Sequence, residues 1–169
     1  AKVIIASNRE PVTHERDVGG IRVVRPASGM VAALEPIVRA TGGTWVAHGS
    51  GTADRLVTDT KGRVAMPPED PRYTLRRVWL SRKEENGYYY GISNQALWPL
   101  CHIVYTRPRF SRKDWETYRD VNRRFCDTVL DEAEGRTAIV FVQDYHLALL
   151  PRMLRQARPD LMIVHFWHI

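Results

Sequence analysis

Three residues far apart in the chain share one local setting. Arg9, Asp144 and His168 each stand where a short apolar run gives way to polar residues. The runs cover residues 3–6, 138–142 and 161–168, and they are rich in β-branched and aromatic side chains. Such runs read as buried strands, and an open α/β sheet places its ligands at the carboxyl ends of its strands. A guanidinium at that edge presents a fixed fork of donors that suits a phosphate. Asp144, inside the polar cluster Gln143-Asp144-Tyr145-His146, is the leading candidate for a site carboxylate. His168 falls in the same geometric class. His165 is three positions before it and points to the opposite face of a strand, so the two cannot form a simple metal pair, and a core or loop role is expected for His165.

Aromatic residues could complete a sugar site. The triplet Tyr88-Tyr89-Tyr90 is followed by Trp98. Rings stack on the apolar faces of sugars, and phenols donate hydrogen bonds. Packing in a core is the competing role for a Trp in an apolar helix. Ser28 reads as the N-cap of a helix running to about Arg39, with Gly29 behind it. A helix start built from small residues lets an anion approach backbone N–H groups at the positive end of the dipole.

These residues need elements to hold them. The strand at 3–6 leads to a polar stretch with Gly19-Gly20 and to half of a hairpin at 21–24. Gly42-Gly43 ends the helix that Ser28 opens, and residues 44–48 form a further strand. Gly49-Ser50-Gly51 reads as a turn, residues 54–72 as a hairpin and a loop, and 73–80 as a strand. Ser81 and Glu84 have capping-box spacing and should open a short helix. Ser111 caps a long amphipathic helix to about Glu132, with Arg123 and Arg124 on its solvent face and Gly135 as its stop. A helix at 146–157 precedes the last strand. Alternating strands and helices with polar strand ends make this an α/β chain, a doubly wound, mostly parallel sheet with a β-hairpin extension.

The bulk numbers agree with one globular domain. The chain has 169 residues, 44% hydrophobic and 26% charged. Its 25 Lys and Arg against 19 Asp and Glu leave +6 at pH 7, a mild bias toward anionic ligands. Cys101 and Cys126 lack metal or redox spacing and read as buried free thiols of an intracellular protein. With no signal-peptide pattern and no apolar run long enough to span a membrane, a cytoplasmic protein is expected. Walker, Gly-x-Gly-x-x-Gly and Gly-x-Ser-x-Gly motifs are absent, so no cofactor and no metal is expected. Arg107, Arg109, Arg112 and Lys113 raise nucleic-acid binding, but no stacking pattern accompanies them, and no nucleic-acid partner is expected.

Ser7-Asn8-Arg9, Ser28-Gly29 before a helix, Leu97-Trp98-Pro99, Gln143-Asp144-Tyr145-His146-Leu147 and Phe166-Trp167-His168-Ile169 occur in the order found in trehalose-6-phosphate synthases, and the chain resembles that family over its whole length. The resemblance implies the N-terminal, acceptor-side half of a retaining GT-B glycosyltransferase, a single Rossmann-like domain over residues 1–169 whose C-terminal nucleotide-sugar partner is absent. It implies that Arg9, Tyr89 and Trp98 hold the phosphate of glucose 6-phosphate and that Asp144 holds the acceptor sugar. It puts Ser28, Gly29, His168 and Ile169 at the nucleotide-glucose, with Asp144 and His168 as the catalytic pair. Ser28 departs from the family, which has Gly there, and Gly19-Gly20 lies too far upstream to replace it. The partners so implied are glucose 6-phosphate and UDP-glucose, with GDP- and ADP-glucose not separated by these residues. Oligomeric state is left open. A sister synthase with another phosphorylated acceptor, such as a glucosylglycerol-phosphate synthase, and a non-catalytic sugar-phosphate-binding module are the alternatives.

Overall fold

The computed structural model describes residues 1–168. The strand β1 (Lys2–Ser7) is the axis of the fold, and five of its six residues are buried. Its neighbours are β4 (Thr44–His48) and β7 (Ala138–Gln143), both parallel to it. β6 (Tyr73–Val78) extends the sheet beyond β4, and β8 (Met162–Phe166) extends it beyond β7, again in parallel. Among the described strands of this sheet, β5 (Arg63–Met66) alone runs antiparallel, as the edge beside β6. The resulting order is β5-β6-β4-β1-β7-β8. Apolar runs without alternation suit this arrangement because parallel strands are covered on both faces.

The chain builds outward from β1 to β4 and β6, then crosses back to add β7 and β8 on the other side. The reversal puts a crevice beyond the carboxyl ends of β1 and β7. The register aligns those ends, since Ala6 lies beside Val142 and Gln143 beside Phe166. A separate hairpin of β2 (Thr13–Asp17) and β3 (Gly20–Val24) stands off the sheet.

One sheet face is covered by α4 (Arg112–Ala133) and α5 (Leu150–Ala157). Tyr118, Val121, Phe125 and Val129 recur at helical spacing on α4 and are buried against Ile4, Val140 and Leu154. The other face takes α1 (Gly29–Thr41), whose Val31 and Val38 pack on Ile5, Trp45 and Leu75. Ser28 caps α1 by accepting from the Val31 N–H, and Gly42 closes it at φ 61°, where a side chain would be strained. The capping box of Ser81 and Glu84 is formed at α2 (Arg82–Glu85).

Several sequence expectations need correction. The short helix at 82 runs on as a π-helix over residues 86–97 and a last turn, α3 (Trp98–Cys101). The wider coil is sealed by a Ser93 hydroxyl that donates to the Tyr88 carbonyl five residues back. Gly87 and Gly91 let it lie tight against α4, because a Cβ on either would come within 2.9 Å of Thr117 or Asp114. After β7 the chain makes a 3₁₀ turn at Tyr145–Leu147, and α5 begins only at Leu150, with Pro151 in its first turn. Arg124 is only half exposed and is not free in solvent. It donates to the Trp79 carbonyl (2.7 Å) and pairs with Glu84. Glu134, at φ 51°, ends α4 before Gly135 does. Cys126 is buried but Cys101 is only partly so, and both thiols are free. Among the described residues no helix is long and apolar enough to cross a membrane.

Candidate functional site

A cavity of about 770 Å³ opens at the carboxyl edge of the sheet, within the range of small-molecule sites. Five separate segments line it: Arg9 after β1, Ser28 and Gly29 at the start of α1, Tyr89 on the π-helix, Asp144 after β7 and His168 after β8. A smaller recess of about 290 Å³ shares Asn8, Arg9 and Tyr89, and Glu10, His48, Ser50 and Glu85 are among its other lining residues.

Arg9 is anchored by its backbone. The Ser7 hydroxyl donates to the Arg9 carbonyl (2.6 Å) and itself accepts from the Trp45 indole N–H (2.8 Å). Among the described residues its guanidinium has no hydrogen-bond or ion-pair partner, so all its donors remain for a ligand. The next residue, Glu10, enters a buried cluster with Arg77, Asp54 and His14. Glu10 pairs with Arg77 (3.1 Å), Arg77 with Asp54 (2.9 Å), and the His14 N–H donates to Asp54 (2.7 Å). Two carboxyls share one guanidinium out of contact with water. Burial, with the Asp54 hydrogen bond added, pushes Glu10 up to about 9 against the pull of Arg77, so it holds a proton at neutral pH. Glu10 also accepts from the Ser50 N–H and Asp54 from the Gly51 N–H, which fastens the 49–51 turn beneath the Arg9 loop.

Of the Tyr triplet only Tyr89 lines the cavity; Tyr88 is buried in the core and Tyr90 is half exposed. The Tyr89 ring stacks on His146 at 5.5 Å, and His146 stacks on Tyr145 at 4.4 Å. Burial lowers His146 to about 4 despite the neighbouring Asp144 carboxylate, so its imidazole is neutral at physiological pH.

Asp144 occupies a backbone conformation that few L residues adopt, φ 70° and ψ 170°. Such a conformation costs about 1–3 kcal/mol and persists only when its surroundings over-determine it. Its N–H donates to the Phe166 carbonyl (2.7 Å), and its carboxylate accepts from the Tyr145 N–H (2.9 Å). At His168 the tautomer follows from its partner. The Gln143 amide N–H donates to the Val142 carbonyl, which turns the Gln143 Oε1 toward His168 Nε2 at 3.0 Å. Nε2 must carry the proton, leaving Nδ1 as an acceptor when the ring is neutral.

At the start of α1 a Cβ on Gly29 would meet nothing within 4 Å, so the first turn is open to the cavity. The Ser28 hydroxyl takes the Val31 N–H of that turn, and the N–H groups of Gly29 and Met30 remain to favour an anion there.

The structure thus brings together Arg9, Ser28, Gly29, Tyr89, Asp144 and His168. Trp98 is not among the lining residues; it is partly exposed and stacks on His102 at 4.5 Å. Ile169 lies outside the described residues. Asn8, Gln143 and His146 also line the cavity, although sequence reasoning assigned them no role. Each adjoins a candidate in the chain, and that adjacency was the available signal. Among the described residues no group of three His, Cys, Asp or Glu side chains could hold a metal ion. A cation, a carboxylate, a helix N-terminus and two imidazoles around one cavity can bind a phosphorylated, hydroxyl-rich molecule.

Comparison with known proteins gives a consistent result. The profile of glycosyltransferase family 20 matches residues 1–169. The curated trehalose-6-phosphate synthase of Mycolicibacterium vanbaalenii is 41% identical over 171 residues, covering 100% of this chain and 34% of the relative. That of Mycobacterium ulcerans is 42% identical over 167 residues, covering 98% of this chain and 32% of the relative. Among solved structures, the α,α-trehalose-phosphate synthase (UDP-forming) of Burkholderia xenovorans in complex with glucose-6-phosphate is 26% identical with a TM-score of 0.73, matching 100% of this chain and 34% of that one. A structure from E. coli bound with UDP-2-fluoro glucose is 25% identical with a TM-score of 0.74, over 100% of this chain and 33% of that one. The chain spans about a third of the length of the curated relatives it matches. With the profile matched from end to end, the chain belongs to glycosyltransferase family 20.

Proposed function

We propose that this chain is the acceptor-side domain of a synthase that moves glucose from UDP-glucose to glucose 6-phosphate, forming trehalose 6-phosphate with retention of configuration. The observation that carries the reading is the convergence of Arg9, Tyr89 and Asp144 with the α1 N-terminus and His168 around one cavity. The similarity to a synthase solved with glucose-6-phosphate and to a structure bound with UDP-2-fluoro glucose supports the two substrates.

In this reading Arg9 and Tyr89 grip the acceptor phosphate. Asp144 orients acceptor hydroxyls. Ser28, Gly29, His168 and Ile169 meet the nucleotide-glucose, the helix N-terminus facing its anionic part. A nucleotide-sugar domain elsewhere in a longer protein supplies the remaining donor contacts. No protein nucleophile is required: the departing diphosphate takes the acceptor's proton on the face that it leaves. The protein's contribution is alignment of the two sugars and stabilisation of developing charge.

Calorimetry with glucose 6-phosphate, beside a turnover assay of the full-length protein with UDP-glucose, tests the proposal. Saturable glucose 6-phosphate binding and release of UDP with trehalose 6-phosphate are expected. Binding without turnover would reduce the reading to a sugar-phosphate-binding module. Turnover only with glycerol 3-phosphate in an acceptor panel would replace it by the sister synthase.

A further inference from the structure

We infer that His165 is a positioning residue that holds Asp144 in its strained backbone conformation; the inference rests on the reading of Asp144 as the acceptor-sugar carboxylate. His165 lies on β8 beside Val142 of β7. Its neighbours Val164 and Phe166 point to the other face of the strand and line the cavity, whereas His165 does not. A ligand in the cavity is therefore out of its reach. What it does reach is the Asp144 backbone, with Nε2 3.0 Å from the Asp144 carbonyl oxygen.

The protonation pattern of the ring is decided by its two partners. A carbonyl only accepts, so Nε2 carries the proton. The Trp167 indole N–H donates to Nδ1 at 3.2 Å, so Nδ1 is the acceptor. Trp167 thus selects the one neutral tautomer that can hold Asp144. The adjacent Phe166 carbonyl accepts the Asp144 N–H at 2.7 Å. Both backbone polar groups of a residue at φ 70° are therefore pinned by consecutive residues of a single strand. The Asp144 carbonyl also accepts the Leu147 N–H within the 3₁₀ turn, but at 3.4 Å that contact is longer than the 3.0 Å one from His165, which is therefore the closer restraint.

The test uses the full-length protein with His165→Ala and His165→Gln, crystal structures of both, and steady-state kinetics in each substrate. Loss of one neutral hydrogen bond corresponds to a change of up to about tenfold. The Ala variant should show Asp144 outside the positive-φ region and a rise of that order in the KM for glucose 6-phosphate, with the KM for UDP-glucose unchanged. Gln, whose side-chain N–H can reach the same carbonyl, should restore both. Asp144 still at positive φ with an unaltered acceptor KM in the Ala variant would overturn the inference. A displaced Asp144 with an unaltered acceptor KM would uphold the positioning role and sink the acceptor-site reading of Asp144 instead. If the Ala variant fails to fold, Trp167→Phe removes the tautomer-selecting donor alone. It should raise the acceptor KM in the same direction, and no change would count against the inference.

Discussion

Single residues carry two predictions. Asp144→Asn keeps the side chain's shape and an Oδ1 that can still accept the Tyr145 N–H, so the substitution removes the charge and leaves the local hydrogen bond. Turnover of the full-length protein is expected to fall by about a hundredfold, the scale of a misaligned reactant. Near-wild-type turnover in a steady-state assay would take Asp144 out of the site. Glu10 carries the second. Its carboxyl is raised in the fold to about 9 from a model-compound value of 4.5. The folded state therefore holds a proton that the unfolded chain gives up earlier. The associated stability is fully present below about pH 4.5 and drains away as pH rises through about 9. Glu10→Gln mimics the protonated acid, so its melting temperature should decline less between pH 5 and 9 than the wild type's. Parallel curves in a thermal-melt series would show that Glu10 does not hold that proton.

Elements explain how those residues come to face one another. The α4 stripe was readable from its periodicity, because Tyr118, Val121, Phe125 and Val129 repeat at helical spacing. The coil at 86–97 was not, since its hydrogen bonds skip five residues and no simple apolar period marks it. Its geometry sends Tyr88 into the core and Tyr89 to the cavity, and it depends on close approach to α4. Gly87→Ala would drive a methyl to 2.9 Å from Thr117. A loss of about 1–3 kcal/mol is expected from such overpacking. Urea denaturation of the full-length protein would reveal it as a lower midpoint at unchanged slope.

At the scale of the whole molecule, charge and topology act together. The surplus of +6 is spread widely, and several basic side chains, among them Arg63, Arg76, Arg77 and Arg124, are spent on Glu and Asp partners. Arg107, Arg109, Arg112 and Lys113 are exposed but lie on segments that do not line the cavity. A single-stranded oligonucleotide should therefore show no salt-sensitive binding in a fluorescence titration, and a steep salt slope would contradict this. The doubly wound order turns the same residues into a site, since the reversal at β1 opens the crevice that Arg9 and Asp144 flank.

By itself the sequence determined what depends on neighbours along the chain. Apolar runs marked strands, Ser28, Ser81 and Ser111 marked helix starts, and polar residues just past the strands marked where a ligand would lie. Tertiary structure alone decided which distant groups meet. It drew Glu10, His14, Asp54 and Arg77 into one buried cluster, set Trp98 apart from the cavity, and placed His165 and Gln143 behind Asp144 and His168. The physical reason is that a helix cap or a strand run is satisfied within a few residues. The partner of a buried charge or of an imidazole is set instead by strand order and register, which no local pattern encodes.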